Sequence, residues 1–178
     1  VVFDIGANVG YYGLISATEN GDGETHFFEA NPELARLVAK TCQLNALPAS
    51  KSIVVNKAIG ASKGKVTLRK PVNLWGSASC HTDIFSDGQE FENEYEIEMD
   101  SIDNYCAARG SYKCDVIKID VEGYEEEVLN GMSRLIEANR KLCVVMEYTF
   151  GAYSELFFGQ LCTWFGKIQL FTEHDGLI

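Results

Sequence analysis

The stretch Val1-Val2-Phe3-Asp4-Ile5-Gly6-Ala7-Asn8-Val9-Gly10-Tyr11-Tyr12-Gly13 decides the fold. Residues 1–5 predict a short buried strand with one carboxylate, Asp4, near its end. Gly6 to Gly10 predict a turn in which bare backbone can come close to a ligand. A helix is expected from Tyr11 onward. Strand, glycine loop and helix, in that order, are how α/β folds build a nucleotide-type pocket.

The elements further along repeat this rhythm. The first helix stops at Asn20-Gly21-Asp22-Gly23. Residues 25–29 read as a second strand that also ends in a carboxylate, Glu29. Asn31-Pro32-Glu33 opens a second helix, with Asn as cap, Pro at the first position and Glu in the first turn. Its inner stripe is expected at Leu34, Leu37, Val38, Thr41 and Cys42. Residues 52–58 read as the third strand.

The rhythm then breaks. A turn at Lys63-Gly64 precedes a short strand at 66–68 and a long loop at 71–89 that contains Trp75, His81 and Phe85. Loops of that length in a compact domain are often functional. Residues 91–100 alternate, with Phe91, Tyr95, Ile97 and Met99 on one side and Glu92, Glu94, Glu96, Glu98 and Asp100 on the other. This predicts a half-buried strand with a solvated acidic face, to which no function is assigned.

After a short helix capped by Ser101, residues 114–119 form the most strand-like segment since the first and end in Asp120. Lys118 alternates with Ile117 and Ile119, so it is expected to face a helical layer, paired with an acid. Gly123-Tyr124 leads into one helix, with Glu125, Glu126 and Glu127 complementing its dipole and Val128, Leu129, Met132, Leu135 and Ile136 as its stripe. A strand at 142–148, a helix at 154–165 and a last strand at 168–172 follow.

Alternating strands and helices predict a doubly wound, mostly parallel sheet with flanking helices, a Rossmann-like α/β fold carrying an inserted β-hairpin and acidic strand. One domain, 1–178, is expected, as a segment of a longer chain, because Val1 already lies within a strand. Ligands of such sheets sit outside the carboxyl ends of the strands. That directs attention to residues 4–10, Glu29, residues 56–59, residues 120–123 and Glu147.

Charge and composition exclude several partners. The formal net charge of −11 is opposite to what a nucleic-acid backbone requires, so no nucleic acid is expected. No run approaches the roughly 18 apolar residues of a membrane span. The six cysteines contain no C-x-x-C pair, so metal and redox spacings are absent, and Cys114 and Cys143 are expected as small buried hydrophobes. The lack of any N-x-S/T sequon points to a reducing, cytoplasmic setting. Nothing in the sequence addresses oligomeric state.

The dinucleotide fingerprint is G-x-G-x-x-G, but Asn8 stands where its middle glycine should be. That glycine lets a pyrophosphate approach the backbone, so NAD fits poorly, and no Walker lysine is present for ATP. A ligand with an adenosine and no phosphates fits better. Glu29 can accept both ribose hydroxyls, and Asp4 can answer an ammonium. S-adenosylmethionine has both groups.

The chain also resembles a known family, the FkbM-type methyltransferases of the class I S-adenosylmethionine-dependent fold. The resemblance rests on residues 3–12 (FDIGANVGYY), 28–33 (FEANPE), Ala58-Ile59-Gly60, Gly76-Ser77-Ala78-Ser79, Ser101-Ile102-Asp103 and residues 117–125 (IKIDVEGYE), with Val128-Leu129, Gly131 and Glu147. The run from Lys118 to Glu125 is the specific part. Ala30 departs from the family's usual Glu-Pro pair. The resemblance implies transfer of a methyl group from S-adenosyl-L-methionine to a hydroxyl of a sugar or natural-product-like small molecule or glycan.

On that reading the cofactor residues are Asp4, Gly6, Ala7, Asn8, Gly10, Tyr12, Glu29, Asn31, Ala58 and Asp120. The base that takes the hydroxyl proton is expected at Asp120 first, then Glu122, with His81 able to close over the site from its loop. No metal is assigned, since Asp120 and Glu147 are too few ligands to hold one. Acceptor selectivity is expected in the 71–89 loop and near Tyr153. An alternative reading is a non-catalytic binding or trafficking module on the same fold. Intact Asp4, Gly6, Gly10, Glu29 and Asp120 argue against it.

Overall fold

The protein is described by a computed structural model over residues 1–72, 79–80, 90–148, 153–154 and 156–169. The chain begins with β1 (Val2–Ile5), α1 (Tyr11–Glu19), β2 (Thr25–Phe28), α2 (Pro32–Leu44) and β3 (Ser52–Val55). It continues with β4 (Ala58–Ile59), β5 (Gly64–Pro71), β6 (Phe91–Asp100), α3 (Ile102–Arg109) and β7 (Val116–Ile119). It ends with α4 (Glu125–Asn130), α5 (Ser133–Ala138), β8 (Cys143–Met146) and α6 (Phe157–Trp164). The chain divides into two units, Val1–Tyr148 and Thr149–Ile178.

In the first unit, five parallel strands run in the order β3-β2-β1-β7-β8. The order reverses between β1 and β7, and that reversal is where open α/β sheets open a crevice for ligands. It brings residues 6–10 and 120–123 side by side although they lie over a hundred positions apart in sequence. The central strands are buried on both faces, with apolar side chains interrupted by the buried Asp4, Thr25 and His26. Phe3, Ile5, Phe27, Phe28, Ile117 and Ile119 are all buried.

α2 starts as its sequence dictates. The Asn31 side chain accepts from the N–H groups of Glu33 and Leu34, and Pro32 occupies the first turn. Its buried stripe is Ala35, Val38 and Cys42, while Leu37, expected inside, is exposed. Cys114 is buried but Cys143 is exposed on β8.

Three expected boundaries move for identifiable reasons. The third strand ends at Val55, because Asn56 leaves the sheet to donate from Nδ2 to the carbonyls of Glu29 and Ala30 at 2.8 and 2.9 Å. Ala58–Ile59 then join a second sheet, ordered β4-β6-β5. The short strand expected at 66–68 spans Gly64–Pro71 as the antiparallel partner of β6. There the acidic face of β6 is matched by cations: Lys65 meets Glu96, Arg69 meets Glu94, Lys70 meets Glu92, and Lys57 reaches Glu98 and Asp100.

The single helix expected after Tyr124 is two, α4 and α5. A Cβ on Gly131 would stand 2.1 Å from the Gly60 carbonyl oxygen, so only glycine permits this crossing. The Asp103 carboxylate of α3 then accepts from the N–H groups of Arg134 and Leu135 at 3.0 and 2.9 Å and restarts the helix. The expected stripe, from Val128 to Ile136, is nevertheless buried throughout.

In the second unit, α6 forms within the helix expected at 154–165, and the Tyr153 ring lies 4.8 Å from that of Phe157. Ile168 and Gln169 are not in a strand, and the rest of the expected last strand lies outside the described residues, as do Trp75, His81, Phe85 and most of the 71–89 loop. Among the described residues no helix is long and apolar enough to cross a membrane.

Candidate active site

A cleft of about 590 Å³ opens at the carboxyl ends of β1, β2 and β7, a volume suited to a nucleoside-sized ligand. Gly6, Asn8, Glu29, Asn31, Ala58, Asp120 and Glu122 line it, seven of the residues singled out from the sequence. Leu34, Leu37, Ile59 and Leu68 supply apolar wall. The exposure of Leu37, unexpected for a core stripe, follows from its place on that wall. Asp4, Ala7, Gly10 and Tyr12 are not on the lining surface.

The glycine loop is tightly specified. Gly6 has φ +73°, and a Cβ there would lie 1.8 Å from the Asp120 carbonyl oxygen, so no side chain fits between β1 and β7. The N–H groups of Gly6 and Ala7 both donate to the Phe28 carbonyl at 3.0 Å. The Asn8 N–H donates to Glu29 Oε2 at 2.6 Å, and the Gly10 N–H donates to the Ala7 carbonyl at 2.7 Å. These four N–H groups are engaged inside the fold, so none of them cradles a phosphate.

Glu29 is the best-held group in the cleft. It is 8% exposed, and its Oε1 accepts from the Asn31 N–H at 2.8 Å. Burial pushes its carboxyl up from the ordinary range, opposed by these two N–H donors and by the Lys118 charge. Each carboxylate oxygen can accept more than one hydrogen bond, so both keep capacity for hydroxyls entering the cleft.

Asp4 lies under the floor. Its Oδ2 accepts from the Gly13 N–H at 2.8 Å, which ties α1 to β1, and it is 1% exposed. Burial raises its carboxyl and the Lys118 ammonium opposes that. Lys118, cross-strand partner of Asp4, lies 3.4 Å from Asp4 Oδ1 and 3.3 Å from Asp120 Oδ2. The expected pairing with one acid is thus a pairing with two. Tyr12 stands over this lysine, its ring centre 5.8 Å from Nζ.

The loop after β7 carries the acids. Glu122 has φ +55°, and its carbonyl accepts from Ser79 Oγ at 2.8 Å. Partial burial and the charges of Asp120, Glu147 and Glu125 push the Glu122 carboxyl up. Glu147 is raised by partial burial, by the charges of Asp120 and Glu125, and by a hydrogen bond with Asp120. Glu125, read from sequence as a dipole partner, is fully buried, and its Oε1 accepts from the N–H groups of Val121 and Gly123. It shapes the acidic loop. Among the described residues no group of three or more His, Cys, Asp or Glu is arranged to hold a metal ion.

Comparison with known proteins shows the family. The model of the methyltransferase FkbM domain matches residues 4–175. The chain belongs to the FkbM methyltransferase family. Among curated relatives of this FkbM domain, the 2-O-methyltransferase NoeI of Sinorhizobium fredii (strain NBRC 101917 / NGR234) is 25% identical, over 90% of this chain and 67% of the relative. Among solved structures, the methyltransferase FkbM of Methylobacillus flagellatus KT matches with a TM-score of 0.53 and 19% identity, which bears on the fold. That match covers 80% of this chain and 32% of the other, so the FkbM domain described here spans about a third of that protein's length.

Proposed function

We propose that this FkbM domain binds S-adenosylmethionine and methylates a hydroxyl oxygen, on a sugar or a natural-product-like small molecule. The observation that carries the reading is Glu29, a buried carboxylate fixed by two backbone N–H groups at the cleft wall, beside a loop whose own N–H groups are turned inward. Such a site suits a ribose diol, and the engaged N–H groups of Gly6, Ala7, Asn8 and Gly10 are not available to a pyrophosphate. The 2-O-methyltransferase relative supports a hydroxyl as the acceptor.

The residues present fit that cofactor. Glu29 would hold the ribose hydroxyls, Asn31 and Asn8 keep Glu29 in place, and Ala58 and Ile59 line the cleft beside them. When bound, the cofactor supplies an electrophilic methyl group on a sulfonium. The chain must then orient the acceptor and take its proton, since a neutral hydroxyl is a weak nucleophile.

The sequence places Asp120 first for that role. The electrostatics favour Glu122. Asp120 Oδ2 is engaged by Lys118 at 3.3 Å, whereas burial and three neighbouring acids increase the proton affinity of Glu122. Asp120 then serves to orient, and Glu122 accepts the proton. His81 lies outside the described residues.

Titration calorimetry with S-adenosylhomocysteine, NAD and ATP tests the reading. Saturable binding of the first, with none of the other two, is expected. Binding of NAD or ATP without S-adenosylhomocysteine contradicts it.

A further inference from the structure

Beneath the cleft floor, one ammonium serves three oxygens. Lys118 Nζ donates to the Gly6 carbonyl at 2.6 Å and lies 3.4 Å from Asp4 Oδ1 and 3.3 Å from Asp120 Oδ2. A lysine has three N–H donors. Each of the three oxygens belongs to a different part of the site: the glycine loop, the end of β1 and the segment that follows β7. Gly6 also presses against the Asp120 carbonyl, so loop and acid meet through this one point.

The arrangement is costly without the lysine. Asp4 Oδ1 is, among the described residues, the buried side-chain polar atom that has no hydrogen bond. Its compensation is the nearby positive charge, and the side chains are 2% exposed for Asp4 and 17% for Lys118. An uncompensated buried carboxylate is strongly unfavourable. The other charged or titratable groups around Asp4 do not replace Lys118. Asp120 and Glu29 are like charges, and Tyr12 offers a ring face to the lysine.

We infer that Lys118 is a positioning residue, a three-way clamp that neutralises Asp4 and locks the glycine loop and Asp120 into one geometry. Lys118 is not itself on the cleft lining; it acts through Gly6 and Asp120, which are. The clamp deepens the proposed function, since it would hold Asp120 in place for a bound ligand. Its electrostatic core can be tested without that reading.

The test uses Lys118→Met, which keeps the length and removes the charge, and the double variant Asp4→Asn/Lys118→Met, which removes the orphan charge as well. Thermal melting is followed across pH with no ligand. In Lys118→Met the Asp4 carboxyl, already raised by burial, is raised further in the folded state, with the Gly13 N–H still opposing the rise but the lysine charge gone. Stability is then retained at acidic pH, where Asp4 is protonated, and falls as pH rises through that raised value. The double variant should lose this slope and melt above the single variant at neutral pH. If the single variant does not fold at neutral pH, the double variant is expected to fold there. Parallel pH profiles for wild type and Lys118→Met, or a double variant no better than the single, overturn the clamp.

A second arm measures S-adenosylhomocysteine affinity. Lys118→Met should lose about tenfold or more, and the double variant should stay weakened, because the glycine loop and Asp120 are still unclamped. Wild-type affinity in either variant overturns the locking role. If wild type shows no binding, the proposed function fails, and the melting profiles still decide the clamp.

Discussion

Glu29, at the end of β2, and Glu122, after β7, line the same cleft and are held in different ways. Glu29 is nearly sealed, and both its oxygens receive backbone N–H groups. Glu122 sits half-buried among Asp120, Glu125 and Glu147, in a loop whose backbone is bent to φ +55°. Burial raises both carboxyls; at Glu29 two preorganised N–H donors oppose the rise and hold the group still, which suits an acceptor of hydrogen bonds. At Glu122 the neighbouring acids add to the rise, which suits an acid that exchanges a proton. On the proposed function the two stretches do different work, one recognising and one reacting.

The contrast can be broken most severely at its hinge. Gly6→Ala forces a Cβ into the Asp120 carbonyl at a positive φ. It should lower stability by about 3 kcal/mol, read by chemical denaturation. A variant as stable as wild type would mean that loop and acid do not meet there.

Glu122→Gln keeps the shape and removes the proposed base. Turnover should drop about 100-fold with little change in cofactor affinity. The sign with pH is set by the raised carboxyl. Below it Glu122 is protonated and cannot accept a proton, so the wild-type rate should climb with pH on a limb above the ordinary glutamate range. Glu122→Gln should lack that limb. If Asp120→Asn abolishes the limb instead, the roles of the two acids are exchanged.

Glu29→Ala should act on binding. Loss of a charged acceptor of the ribose hydroxyls is expected to weaken S-adenosylhomocysteine about 30-fold, seen by calorimetry. An unchanged affinity removes Glu29 from the site. The smallest effect is expected away from the cleft, at the β5/β6 ladder. Lys65→Ala, at an exposed pair with Glu96, should leave the melting temperature nearly unchanged at physiological salt.

The recognising half was legible in the sequence. The glycine turn, Glu29 and the Asn31-Pro32 cap are local signals, and each fixes its own backbone, while Asp4, expected to answer a ligand ammonium, lies beneath the cleft instead of lining it. The reacting half was legible in identity but not in arrangement. Sequence alternation put Lys118 toward an acid, but only the β1–β7 pairing brings it to Asp4 and Asp120 together. Glu125 looked like a helix-dipole partner because its turn back to Val121 and Gly123 depends on the loop's fold. The helix break at Gly131 was hidden for a similar reason. Its stripe is continuous, and the cause of the break, the Gly60 carbonyl, is contributed by another part of the chain. Asn56 ended β3 early through side-chain bonds to residues about 27 positions away. Apart from Glu125, whose partners are close in sequence, each of these features is decided by a long-range neighbour, which periodicity does not encode.

The central claim is that Glu29 recognises and the Asp120–Glu122 loop reacts. A crystal structure with S-adenosylhomocysteine bound tests it most directly. The account predicts both ribose hydroxyls on the Glu29 carboxylate and the sulfur facing Asp120 and Glu122. A ribose placed elsewhere, or a sulfur turned away from those two acids, would contradict it.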